Sequence, residues 1–165
     1  MFPFRRELLA IYLQDHLAGA TFGTELARRA ASENTATPLG EILETIKHEI
    51  EDDRATLNSI MSALEISPDR LKNAGAWTGE KAGRLKLNGR VTSYSPLSRV
   101  IELEGLITGV TGKRALWRAL RRLADDDPRL QADQIDELLA RADRQLETLW
   151  SVHSDASHAA LAAAE

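Results

Sequence analysis

Four of the five prolines in this chain directly follow a residue that caps helices: Thr37-Pro38, Ser67-Pro68, Ser95-Pro96 and Asp127-Pro128. Proline is tolerated at the first helical position because its missing N–H would be unpaired there anyway. The Thr, Ser or Asp before it can accept a hydrogen bond from a free amide of the first turn. Pro3 suits the start of a first helix in the same way. These positions predict five helix starts, and no stretch carries a dependable strand pattern.

The first long helix is predicted over Pro3–Ser32 and the second over Pro38–Ile66. The second carries Leu39, Ile42, Leu43, Ile46, Ile50, Leu57, Ile60, Met61 and Leu64 at helical spacing. A segment opened by Pro68 fades through Gly75, Gly79 and Gly83, each glycine costing about 1 kcal/mol against alanine. The stretch from Leu87 to Ser95, with Asn88-Gly89, reads as a loop. The third long helix is predicted over Pro96–Ala124. The fourth begins near Asp133, with Ile135, Leu138, Leu139, Ala142, Leu146, Leu149 and Trp150 on one stripe. The Ala-rich tail, residues 158–165, is expected to fray.

Four helices of about 27–32 residues would be some 40–48 Å long. Helices of that length pack most simply as a four-helix bundle. The short links make two antiparallel hairpins. The long, partly helical crossover, residues 68–95, is long enough to run from one end of the bundle to the other. The predicted fold is therefore all-α, up-down-down-up, in a single domain over residues 1–165. The alternative is up-down-up-down with the extra segment folded over one end.

Composition narrows the chemistry. Aromatics are 5% of the 165 residues, so the core must be aliphatic and Ala-rich. Cysteine is absent, which excludes disulfides, thiolate metal sites and thiol nucleophiles. No apolar run approaches the roughly 18 residues of a membrane span. The start Met1-Phe2-Pro3-Phe4-Arg5-Arg6 lacks the apolar core of a signal peptide, so a cytoplasmic protein without a membrane role is expected. The net charge of −4 argues against a nucleic-acid partner.

The layout of two hairpins and a long crossover resembles the ferritin-like bundles. The segment Gly83-Arg84-Leu85-Lys86-Leu87-Asn88-Gly89-Arg90, followed by Tyr94-Ser95-Pro96-Leu97 and Glu102-Leu103-Glu104-Gly105, also looks like a family of uncharacterised bacterial helical proteins. That second likeness implies no activity. A ferritin-like di-iron site needs Glu-x-x-His pairs whose ligands face inward together, and the chain has none. Glu44 and His48 point away from the apolar stripe. The DinB-like metal bundles pair one His on the second helix with a His-x-x-x-His on the last. Here His48 is matched by His153 and His158, five residues and about 500° of turn apart. Gly109-Val110-Thr111-Gly112-Lys113 lacks both the spacing and the preceding strand of a phosphate loop.

A few polar residues fall on the apolar stripes. Asp53 lies between Ile50 and Leu57, His16 one turn after Tyr12, and Arg114 among Ile107, Val110 and Trp117. An ion in a core is costly unless paired. An Asp53–Arg114 ion pair with His16 beside it is the predicted buried network. A metal-binding alternative would draw on His16, Asp53, Glu104 and His153 to hold Fe, Zn or Mn; otherwise no cofactor is predicted. The cluster Lys113, Arg114, Arg118, Arg121 and Arg122 is followed by Asp125, Asp126 and Asp127 and should neutralise itself locally. Gly19 and Gly23, and Gly105 and Gly109, form smooth patches predicted to let the first and third long helices cross closely. The functional expectation is a non-catalytic bundle, a structural or interaction module that could form a homodimer. A metal-dependent bundle protein is the alternative, and a small ligand in the bundle interior a third reading.

Overall fold

A computed structural model describes residues 5–68 and 94–162. Its elements are α1 (Arg6–Glu33), α2 (Pro38–Ala63), α3 (Pro96–Leu123) and α4 (Ala132–Leu161), with no strand among the described residues. The predicted crossover lies largely outside the described residues, as does the end of the tail. The part of the tail up to Leu161 is helical.

Two of the proline-marked starts are built as the sequence predicts. The Thr37 hydroxyl accepts from the Gly40 amide at 3.0 Å. Ser95 accepts from the Ser98 amide at 3.2 Å, and the Ser98 hydroxyl returns a contact to the Ser95 amide at 3.3 Å. Each arrangement satisfies donors that the first helical turn leaves free. Asp127-Pro128 does something else. Asp127 is buried, and its carboxylate accepts from the backbone N–H and the guanidinium of Arg129. The chain therefore turns here, Leu130 plugs into the core, and α4 starts only at Ala132.

The ends of the helices fix the topology. Near the end of α1, Arg29 and Asn34 meet Glu102 and Arg99 near the start of α3. On α4, His153 lies beside Glu104, close to the start of α3. Asp53 and Lys113, each a little past the midpoint of its helix, meet in the core, so α2 and α3 run the same way. The order is up-down-down-up, with α1 beside α2 and α3, and α4 beside α3 and α2. The helix backbones lie close within each hairpin and less so between α1 and α3, whereas those of α2 and α4 come close at only a few points.

The core is aliphatic, centred on Leu13, Leu43, Leu57, Met61, Leu103, Leu106, Leu120, Ile135 and Leu149, and Trp117 is the fully buried aromatic among the described residues. Trp150 does not join it. It follows Leu149 on the predicted stripe but turns outward and is 55% exposed. A step of one residue rotates a helical side chain by about 100°, enough to move it from the core to the surface.

The turn between α1 and α2 is organised by buried Asn34. Its amide donates to the Ala30 carbonyl and to the Tyr94 hydroxyl, both at 2.8 Å. Its side-chain oxygen accepts from Arg99 Nε at 2.7 Å, and its carbonyl accepts from the Thr37 hydroxyl at 2.7 Å. One residue thereby fixes the α1–α2 corner through its backbone and the entry to α3 through its side chain.

Candidate functional site

The polar residues with the deepest burial in the middle of the bundle form one connected layer. Asp53 occupies the core face of α2 and is 2% exposed. Lys113 on α3 donates to its Oδ2. Arg141 on α4 lies against Oδ1 as a charge contact without hydrogen-bond alignment. Lys113 also donates to Gln145 Oε1 at 2.6 Å, and Gln145 Nε2 donates to Glu49 Oε2 at 2.8 Å. The two ends of the Gln145 amide are thus fixed by a donor on one side and an acceptor on the other. Burial pushes the Lys113 ammonium below its ordinary pKa, against the pull of the Asp53 carboxylate.

The layer sorts by hairpin. The α1–α2 hairpin contributes the carboxylates Glu49 and Asp53, and the α3–α4 hairpin the cations Lys113 and Arg141. At this level each hairpin alone would carry charge of one sign. Docked together, they neutralise it.

The predicted network is therefore rearranged. Asp53 is buried and ion-paired, but to Lys113 and Arg141. Arg114 turns to the surface side of α3 and pairs with Asp143. The reason is helical phase. Lys113 falls one heptad after Leu106 and one turn before Trp117, on the line that faces the core, and Arg114 is rotated past it. His16 takes no part in the layer. It is half-buried on α1, edge-on to Tyr12 at 4.5 Å between ring centroids, and burial lowers its pKa. Sequence reasoning placed Lys113 in a surface cluster and passed over Arg141 and Gln145. The signal for Gln145 was its place between Ala142 and Leu149 on an otherwise apolar stripe.

Of the residues considered for a metal, the structure brings together Glu104 and His153, at 3.2 Å. Ser157 Oγ stands 3.4 Å from the same His153 Nε2, and Trp150 packs edge-on against the ring. Glutamate and serine converge on one nitrogen, whereas a nucleophile relay needs them on opposite nitrogens. Asp53 and His16 lie apart from this pair and from each other. His48 is exposed beside Glu44 and Glu51. No group of three or more His, Asp or Glu suited to a metal occurs among the described residues.

The glycine patches behave unequally. A Cβ on Gly105 would lie 2.8 Å from Leu26 Cδ2, so α1 and α3 do meet closely there. A Cβ on Gly23 or Gly109 would meet nothing within 4 Å, and Gly19 is half-buried on α1. The two patches therefore do not form one continuous crossing.

A second polar cluster closes the top of the bundle. Glu102 is 3% exposed and pairs with Arg29 at 2.8 Å. Burial raises its pKa, opposed by the nearby Tyr94 hydroxyl and by Arg29. Its Oε2 has no aligned hydrogen-bond partner. The basic run on α3 is partly neutralised by its neighbours, Arg121 by Asp125 and Asp136 and Arg122 by Asp125.

No protein-family description, curated protein or solved structure matches this chain.

Proposed function

We propose that the chain is a non-catalytic helical-bundle module with a structural or protein-interaction role. One observation carries this reading: both carboxylate oxygens of Asp53, the most buried acid of the core, are taken by cations of the same chain. A carboxylate held this way is a poor metal ligand and a poor general base. The ferritin-like layout serves here as a scaffold, and a homodimer in the cytoplasm is the proposed working form. Nucleic acid and membrane have no part in the proposal. The net charge is −4, and no helix among the described residues is long and apolar enough to cross a membrane.

Elemental analysis of the purified, desalted protein, combined with light scattering on a sizing column, tests the reading. The expected result is substoichiometric Fe, Zn and Mn with a defined oligomer. Stoichiometric metal that survives desalting would overturn it in favour of a metal-dependent bundle.

A further inference from the structure

The polar contacts divide by location. Within a hairpin the ion pairs between helices lie toward the surface, Arg28–Glu51 at 2.8 Å between α1 and α2 and Arg114–Asp143 and Arg121–Asp136 between α3 and α4, and the Lys113–Gln145 hydrogen bond is a buried polar contact without a second charge. The polar contacts between hairpins reach the interior: Asp53 with Lys113 and Arg141, Glu49 with Gln145, Glu102 with Arg29, and Asn34 with Arg99. Packing divides the same way. Helices in a hairpin are close, α1 and α3 form the tighter edge between hairpins with Leu26 against Gly105, and the α2 and α4 backbones stand farther apart, bridged by side chains.

We propose that the bundle opens as two intact hairpins, parting first between α2 and α4 about the α1–α3 edge, with Asp53, Lys113 and Arg141 as the latch. Attraction across a buried ion pair is largely offset by the desolvation of its charges. Parting the hairpins returns Asp53, Lys113, Arg141 and Glu49 to water, so hydration compensates for the lost contacts at this level. The α2 and α4 backbones approach closely at only a few places, so this edge is the least tightly packed of the four. Opening a hairpin instead would part the more closely packed helices, and the interior polar contact it breaks in the α3–α4 hairpin, Lys113 to Gln145, leaves Lys113 on Asp53. Elements with few buried contacts open at the low end of a protein's local stabilities. The proposal does not depend on metal content or on the identity of any partner.

Distances between spin labels on the full chain test it. The sequence has no cysteine, so introduced ones label selectively. Thr45→Cys with Ser151→Cys reports across α2 and α4. Ala115→Cys with Ala140→Cys reports within the α3–α4 hairpin. All four positions are exposed. In an Asp53→Asn background the α2–α4 distance should gain a second, longer component while the hairpin distance stays single. Should that variant fail to fold, subdenaturing guanidinium on the otherwise native chain decides the matter. The α2–α4 distance should then broaden at a lower denaturant concentration than the hairpin distance. Simultaneous broadening, earlier broadening within the hairpin, or a single unchanged α2–α4 distance in folded Asp53→Asn protein would overturn the proposal.

Discussion

Gly40 sits directly beneath the carbonyl of Asn34: a Cβ built on it would lie 2.1 Å from that oxygen. The carbonyl cannot retreat, because it also accepts from the backbone and the hydroxyl of Thr37. The first turn of α2 is therefore pressed against the corner that ends α1, and only glycine fits between them.

Gly40→Ala should destabilise the fold by about 3 kcal/mol, the upper range for overpacking against a rigid neighbour. Gly109→Ala is the matched control. It lies in a helix interior with open space around it, so it should stabilise by about 1 kcal/mol. Chemical denaturation of the two variants checks both signs.

The end of α2 carries strain that the sequence does not need. Glu65 has φ 56°, the left-handed region, while the Ile66 amide donates to the Met61 carbonyl at 2.8 Å and the Ile66 side chain is buried. This is the Schellman arrangement, in which glycine is the preferred residue at the left-handed position. Glu65→Gly should raise stability by roughly 0.5–1 kcal/mol, the relief of strain less the entropy that glycine adds to the unfolded chain. A rise in melting temperature checks it; a fall would mean that the Glu65 side chain stabilises the end.

Glu102 gives a pH signature of defined sign. Its pKa is raised in the folded state, so the folded protein holds this proton more tightly than the unfolded chain does. Its contribution to stability is therefore lost as pH rises from the ordinary glutamate range through the raised value. Glu102→Gln removes that loss. Relative to the parent, the variant should be more stable at neutral pH, and the difference should shrink as pH falls through the raised folded value. Melting curves of both proteins over a pH series read this directly. A difference independent of pH would show that Glu102 titrates normally.

The four long helices were legible because apolar residues recur at helical spacing and capped prolines mark two of the starts. Asp127-Pro128 carried the same mark without opening a helix, since the buried Asp127 carboxylate is occupied by Arg129. Asp53 was legible as a core acid from its place between Ile50 and Leu57. Its partners were not, for a physical reason. Lys113 and Arg114 are adjacent in sequence, and rotation by one residue exchanges the core-facing cation for the surface one. Arg141 and Gln145 lie on another helix, and only the packing of the hairpins brings Arg141 to Asp53 and Gln145 to Glu49. Gly105 found its close neighbour, but Gly23 and Gly109 did not, because spacing along a helix does not specify which side of it meets a partner.

The central claim is that buried charge is neutralised between the hairpins, and a double-mutant cycle on Asp53 and Lys113 measures it most directly. Asp53→Leu strands Lys113 and Arg141 as uncompensated cations and should cost roughly 3–5 kcal/mol. Lys113→Met should cost less, because Asp53 keeps Arg141. In the Asp53→Leu/Lys113→Met double variant the loss should fall short of the sum of the single losses by at least about 1 kcal/mol, within the range found for residues in contact. Strictly additive losses in denaturant unfolding would contradict the account, since they would mean that the two charges do not interact in the folded protein.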